Sequence, residues 1–242
     1  MEFSTQGYVL SVRRHGETSA IIDVLTPDRG RHAGLVRGGV SRKMRPVLQP
    51  GNLIRVTWQA RLSEHLGNFT VEAIDARAAQ LMDDRLALSA LNAACALSLA
   101  VLPEREPHQA VYDAFSVMIK HMGDPDIWPA LYVKWEAGLL DAMGYGLDLS
   151  KCAASGRNDN LTHVSPRTGR AVSASEAEPY LDKLLVLPGF LVGCKGIMPD
   201  EIKHGLALTG YFIQSRILWP ADRQLPQARA RMIDRLFAEG LL

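Results

Sequence analysis

Residues 7–37 read GYVLSVRRHGETSAIIDVLTPDRGRHAGLVR, three short runs rich in β-branched and aliphatic residues that are separated by turn signals. The runs cover residues 7–14, 18–25 and 31–37, and the turns contain His15-Gly16 and Pro27-Asp28-Arg29-Gly30. Short apolar runs bounded by glycine, proline and aspartate are typical of β-strands. The stretch therefore predicts three consecutive strands.

Two further runs, residues 53–60 and 69–76, follow the turn signals Pro50-Gly51-Asn52 and Gly67-Asn68. Five short strands in about seventy residues cannot bury a core as a flat open sheet, whereas a small closed barrel can. The OB-fold is the common five-stranded case. An SH3-like barrel is the alternative, and the pattern alone does not separate the two.

After residue 82 the apolar residues recur with a helical period. Asp83 or Asp84 can cap an Ala/Leu-rich helix that ends near Pro103, and the remaining helices are expected at residues 107–122, 129–144, 175–185, 199–217 and 227–238. Residues 147–172 form a Gly/Ser/Asn-rich stretch between them. The predicted class is α+β, with an N-terminal five-stranded OB-fold β-barrel at residues 1–79 followed by an all-helical C-terminal domain at residues 80–242.

The composition is that of an ordinary globular chain. Its 242 residues are 47% hydrophobic and 22% charged, with a formal charge of +1, so the chain is neither wholly disordered nor fibrous. Three scattered cysteines are too few for a disulfide framework and favour a reducing compartment. Residues 86–102 carry no charge, but their alanines and polar residues favour a buried helix over a membrane span. No secretory signal is visible at the N-terminus, and we expect a cytoplasmic, nucleoid-associated protein.

The near-zero net charge hides an asymmetry. Residues 1–60 carry a net charge of +5 and the remainder −4, which indicates an anionic partner for the front of the chain only. Residues 29–45 hold six basic residues and no acidic one, and cations in this number bind phosphates with little base specificity. The candidate DNA-binding residues are Arg13, Arg14, Arg29, Arg31, Arg37, Arg42, Lys43 and Arg45. Either base stacking or the barrel core would account for the aromatic residues Phe3, Tyr8, Trp58 and Phe69.

Motifs for catalysis or metal binding are weak. The chain has no P-loop, no His-Glu-x-x-His and no Gly-x-Ser-x-Gly motif, and Gly38-Gly39 is followed by no helix start that would make it a phosphate cradle. Cys152 and His163 are the residues of a conceivable thiol–imidazole pair. A structural zinc needs four ligands, usually beginning Cys-x₂-Cys, but Ser155 stands three residues after Cys152. We therefore expect no metal and no cofactor.

Three segments together resemble the N-terminal barrel of the RecO family of bacterial recombination mediators: Thr26-Pro-Asp-Arg-Gly-Arg, Val36-Arg-Gly-Gly-Val-Ser-Arg-Lys and Leu48-Gln-Pro-Gly-Asn. The rear of the chain is also similar to that family, in the helix-to-loop junction that ends at Cys152 and in the turn Ser165-Pro-Arg-Thr-Gly-Arg-Ala. Many members carry a four-cysteine zinc site there. This chain keeps only Cys152, a vestigial first ligand position, so the region 147–172 is a degenerate zinc loop.

The resemblance implies a non-enzymatic role in the RecF-type repair pathway. Family members bind single- and double-stranded DNA, anneal complementary strands and help load RecA onto DNA coated with single-stranded-DNA-binding protein. The implied partners are DNA, RecR and the acidic C-terminal tail of single-stranded-DNA-binding protein, with a functional link to RecA and RecF and none to membranes. We expect the tail to bind residues 80–242. An RNA-binding OB-fold accessory protein and a small Cys/His hydrolase are the alternatives.

Overall fold

The N-terminal strands close into a barrel in this computed structural model, which describes residues 1–194 and 199–242. The strands are β1 (Glu2–His15), β2 (Ser19–Thr26), β3 (Gly30–Val36), β4 (Leu53–Gln59) and β5 (Asn68–Asp75). They follow each other around the barrel in the order β1-β2-β3-β5-β4, with β3 and β5 parallel and the other pairs antiparallel. This Greek-key closure is that of the OB-fold. The predicted OB-fold barrel is confirmed, and the connectivity separates it from the SH3-like alternative.

The long first strand makes the closure possible. The first half of β1 pairs with β4 and its second half with β2, and a register shift between Val9 and Ser11 bends it between the two partners. Alternate side chains point inward from each strand and bury a core that includes Ile22, Val24 and Ile54. At Gly34 a Cβ atom would lie 2.3 Å from the Phe69 ring, so glycine lets that ring fill the barrel.

Helices α1 (Arg77–Gln80), α2 (Arg85–Val101) and α3 (Gln109–Lys120) follow the barrel. Asp84 caps α2, since its carboxylate accepts a hydrogen bond of 2.9 Å from the backbone N–H of Ala87. By their contacts, residues Met1–Gly123 and Pro226–Met232 form one compact unit, so α2 and α3 pack with the barrel. The division at residue 79 therefore stays a prediction. No helix in the described ranges is long and apolar enough to cross a membrane.

The second compact unit is Asp124–Leu225 with Ile233–Leu242. This part of the chain was predicted to be all-helical, but it also contains strands. It contains α4 (Trp128–Ala142), α6 (Pro199–Phe212), a π-helical segment (Ile213–Leu218) and a three-stranded sheet of order β7-β6-β8. The strands β6 (Leu161–Val164), β7 (Ala171–Ser173) and β8 (Leu185–Val186) are two to four residues long. Segments this short carry almost no alternating pattern, which is why the sequence did not reveal the sheet.

The predicted helix at residues 175–185 is the other difference. The chain forms only a short α5 (Ala174–Ala177) and a 3₁₀ segment (Glu178–Lys183), which Tyr180 interrupts with a non-helical φ of −133°. By contrast, α7 (Gln227–Ala238) has the predicted bounds.

Candidate nucleic-acid interface

The connection between β3 and β4 carries most of the predicted DNA-binding residues. We define residues 37–49 as the basic loop, which displays Arg37, Arg42, Lys43 and Arg45 at its surface. The loop turns tightly, since the backbone N–H groups of Arg45 and Leu48 donate hydrogen bonds of 3.0 Å to the carbonyl oxygens of Ser41 and Met44 respectively. Leu48 is fully buried in the barrel core, with Met44 and Val47 packed against it. The apolar side of the loop is thus anchored and its basic side faces solvent.

Two further contacts hold the ends of the basic loop. At one end, the backbone N–H of Val40 donates a hydrogen bond of 3.2 Å to the carbonyl oxygen of Thr18 in the β1–β2 turn. At the other end, the buried Asn52 amide donates hydrogen bonds of 2.8 and 3.1 Å to the carbonyl oxygens of Pro46 and Val47. An ordered loop presents its cations without the entropy cost of first being fixed by a ligand.

The cations of the basic loop have no acidic partners. In the part of the chain that the structure describes, no carboxylate lies within ion-pair distance of Arg37, Arg42, Lys43 or Arg45. Exposed and uncompensated cations attract phosphates.

Two clefts flank Arg45. The first, of about 600 Å³, lies between the β1–β2 hairpin and the basic loop, with Arg14 and Arg45 at its rim over Val12, Val40 and Leu48. The second, of about 540 Å³, we call the Met82 groove. It is lined by Arg42, Arg45, Pro46, Gln49, Ala78, Ala79, Met82 and Leu88. The structure therefore joins Arg14 to the basic loop in one basic surface.

Arg29 and Arg31 lie elsewhere. Both follow the end of β2 at Thr26, whereas Arg14 pairs with Ala20 near its beginning. Six residue steps along a strand span about 20 Å. Arg29 lies in the β2–β3 turn and pairs with Asp28 at 3.4 Å. The eight predicted residues thus do not form a single patch.

The surroundings of Arg31 indicate a structural role. Its guanidinium lies 3.2 Å from the carboxylate of Asp23, which is only 4% exposed, and it donates a hydrogen bond of 2.9 Å to the carbonyl oxygen of Leu102. Arg13 lies 3.9 Å from the same carboxylate, and Ser11 donates a hydrogen bond of 2.6 Å to it. Arg31 thus neutralises a buried acid and ties β3 to the segment after α2.

Sequence reasoning missed Arg105. Its guanidinium donates hydrogen bonds of 2.5 and 2.9 Å to the carbonyl oxygens of Ser63 and His65 in the β4–β5 loop. Its backbone N–H donates to the carbonyl oxygen of Arg31 at 2.8 Å. Arg105 therefore fixes a loop that OB-folds commonly use to bind ligands. No signal in the sequence marks this residue, because its partners are backbone carbonyls about forty residues away.

The four aromatic candidates separate clearly by burial. Tyr8, Trp58 and Phe69 are each no more than 4% exposed, and Tyr8 packs against Tyr112 and Phe115. Only Phe3 is half-buried and faces an open cleft. The barrel core accounts for Trp58 and Phe69, whereas Tyr8 is buried against α3.

The degenerate zinc loop is held by hydrogen bonds. The sulfur of Cys152 is fully buried and accepts hydrogen bonds from the backbone N–H groups of Ser155 (3.5 Å) and Ser173 (3.3 Å) and from the Ser173 hydroxyl (3.4 Å). Burial raises the pKa of the Cys152 thiol, but these hydrogen bonds together outweigh burial and lower the pKa to about 6.

These residues do not fit a structural zinc, since one thiolate and two serines are not its usual four nitrogen or sulfur ligands. Among residues 1–194 and 199–242, no group of three or more His, Cys, Asp or Glu side chains is placed to hold a metal. Nor does the described structure place a hydrogen bond between Cys152 and His163, whose ring nitrogen Nδ1 lies 3.0 Å from the Thr162 hydroxyl instead. The geometry gives no support to a thiol–imidazole pair.

Comparison with known proteins agrees with the fold. Residues 1–77 match the family model described as recombination protein O N terminal, and residues 82–224 match the one described as recombination protein O C terminal. The chain is 49% identical over 243 residues to the DNA repair protein RecO of Phenylobacterium zucineum, with all of both chains covered. It is 50% identical over 237 residues to that of Rhodospirillum centenum, covering 97% of this chain and 94% of that one. With both halves matched and relatives similar over its whole length, the chain belongs to the RecO family of DNA repair proteins.

Proposed function

We propose that this protein binds single- and double-stranded DNA through the basic surface formed by Arg14 and the basic loop. The observation that carries the proposal is the ordered display of four exposed cations with no acidic partner. Membership of a DNA repair family supports DNA over RNA as the ligand. Binding DNA and RNA of one sequence in competition separates these alternatives.

The same surface accounts for strand annealing. Two complementary strands repel each other through their phosphates, and cations that neutralise phosphates lower that repulsion. Because phosphate contacts carry no base information, any pair of complementary strands is a substrate. Annealing requires no bond to be made or broken by the protein, so we propose a mediator that is not an enzyme.

Family membership also supports a role in a partnership of proteins. We propose that the chain acts with RecR in the RecF-type pathway and helps load RecA onto DNA coated with single-stranded-DNA-binding protein. The acidic C-terminal tail of that protein then needs an apolar groove with a basic rim.

The Met82 groove has this chemistry. Met82 is 66% exposed and lies beside Leu88 on an apolar floor, and Arg42 and Arg45 stand at its edge. The barrel supplies both arginines, so we propose that the full chain, rather than residues 80–242 alone, holds the tail. The tail and DNA then compete for Arg42 and Arg45, and binding of the tail loosens one bound strand for exchange.

Strand annealing with and without single-stranded-DNA-binding protein tests the function. We expect the wild-type chain to accelerate annealing of complementary strands in both cases, because it neutralises phosphates and engages the acidic tail. The variant with Arg37, Arg42, Lys43 and Arg45 replaced by alanine should lose this acceleration. Equal annealing by a folded variant and the wild type would contradict the proposed surface.

A further inference from the structure

A third cleft, of about 570 Å³, opens beside the start of β1 and is not part of the basic surface. We call it the Phe3 cleft, after the half-buried ring at its side. Asp28 and Arg29 of the β2–β3 turn, His32, Trp58 and Arg105 also line it.

The cleft has an aromatic wall, formed by Phe3 and Trp58, and the Arg29 side chain covers the Phe3 ring. The Phe3 ring stacks on the Trp58 ring, with centroids 5.3 Å apart and planes inclined by 20°. The guanidinium of Arg29 lies 5.0 Å from the centre of the Phe3 ring, and 52% of the Arg29 side chain is exposed. Trp58 is held in place by a hydrogen bond of 2.9 Å from its indole N–H to the carbonyl oxygen of Leu66. One side of the stack is therefore fixed, whereas Arg29 is free to turn away into solvent.

The charges of the Phe3 cleft are nearly balanced. Arg29 pairs with Asp28, whose carboxylate also accepts a hydrogen bond of 2.7 Å from Thr5. Arg105 donates hydrogen bonds to the β4–β5 loop, and burial lowers the pKa of His32, which favours its uncharged form. Unlike the basic loop, this cleft also holds carboxylates, those of Glu2 and Asp28, among its cations. Its chemistry suits a flat, uncharged ligand.

We propose that the Phe3 cleft binds one unpaired nucleobase, which stacks on Phe3 in the place of the Arg29 guanidinium. The inference rests on the proposed DNA-binding function and refines it. The base takes the place of the cation over the ring, and the displaced guanidinium turns into solvent beside its partner Asp28. Base-on-aromatic stacking tolerates every sequence because each base has a π-face.

The cleft would distinguish single strands from duplexes. A base inside a duplex has both faces covered by its neighbours and cannot lie flat on Phe3, whereas a base in a single strand can. The basic surface does not make this distinction, since both forms of DNA present phosphates. The Phe3 cleft and the basic surface thus contribute separate parts of DNA binding.

Affinity measurements on two variants test the inference. We expect Phe3→Leu to bind a 20-nucleotide single strand about tenfold more weakly than the wild type, since one stacked base is lost. Its affinity for a duplex and the dependence of its binding on salt should stay unchanged. Phe3→Tyr keeps an aromatic ring and should bind like the wild type. Melting curves of both variants show whether they are folded.

A cross-linking experiment on the wild-type chain decides the matter even if Phe3→Leu does not fold. A single strand carrying 5-iododeoxyuridine is irradiated on the protein and the cross-linked tryptic peptides are identified by mass. We expect the label in the peptide of residues 1–13, which ends at Arg13 and contains Phe3. Tyr8 lies in the same peptide but is only 4% exposed, and fragmentation of the peptide separates the two.

The outcomes separate this inference from the proposed function. Suppose the wild type binds single strands with a normal salt dependence, but Phe3→Leu binds equally well or the label is absent from residues 1–13. Then the proposal that the Phe3 cleft binds a nucleobase is wrong, and the proposal that the basic surface binds DNA is unaffected. If the wild type binds neither single strands nor duplexes, both are wrong.

Discussion

Replacing Arg37, Arg42, Lys43 and Arg45 together by alanine removes four exposed cations from the basic loop. Each phosphate contact on a single strand contributes about 0.7 to the slope of log affinity against log salt, so the slope should decrease by about 2.8. Raising the salt from about 50 to about 200 mM should therefore weaken binding by the wild-type chain about 50-fold more than it weakens binding by the variant. Fluorescence anisotropy of a labelled single strand, titrated at several salt concentrations, measures both slopes.

A matched control keeps the change in net charge the same. Arg55, Arg85, Lys120 and Lys151 are also exposed and lie outside the basic loop, so their joint replacement by alanine should leave most of the slope intact. Neither variant should unfold, because exposed substitutions usually change the free energy of unfolding by no more than about 0.5 kcal/mol each. If both variants lower the slope equally, binding depends on overall charge and not on this loop. An unchanged slope in a folded basic-loop variant would remove the loop from the mechanism.

Three other changes probe the remaining assignments. Arg31→Ala leaves the buried Asp23 without its closest cation, so denaturant titrations should show a free energy of unfolding lowered by about 2–3 kcal/mol, with the salt slope of DNA binding retained. A stable variant with a reduced salt slope would make Arg31 a DNA contact instead. Cys152 has a folded-state pKa of about 6, below that of a free thiol, so its thiolate stabilises the fold fully above the unfolded pKa, and this contribution disappears as the pH falls through about 6. The melting temperature of the wild type should therefore rise relative to that of Cys152→Ala as the pH increases from about 6 to about 9. A difference in melting temperature that does not change with pH would refute the lowered pKa. Met82→Ser removes the exposed thioether of the Met82 groove, so anisotropy titrations should show several-fold weaker binding of the acidic tail peptide and an unchanged salt slope for DNA. Unaltered peptide binding would place the tail elsewhere.

The sequence by itself determined the strands, most helices and the location of the positive charge. Strand and helix patterns are local, since they depend on the period of apolar residues and on turn and capping residues such as Asp84 within a few positions. The cluster of six basic residues at 29–45 could be read directly, because a run of cations without acids is visible in the sequence before any folding is considered. Where the pattern was too short, as in β6, β7 and β8, local reasoning failed.

Only the tertiary structure decided which of these charges are available to a ligand. Arg31 and Arg45 are equivalent in the sequence, but the first neutralises buried Asp23 and the second stands between two clefts. Likewise, Phe3 and Phe69 both lie in β-strands, yet Phe69 fills the barrel beside Gly34 while Phe3 lines an open cleft. The partners that make these differences are distant in the chain, as Arg105 is from Ser63. Availability depends on which surfaces are brought together when the barrel closes, and no local pattern contains that information.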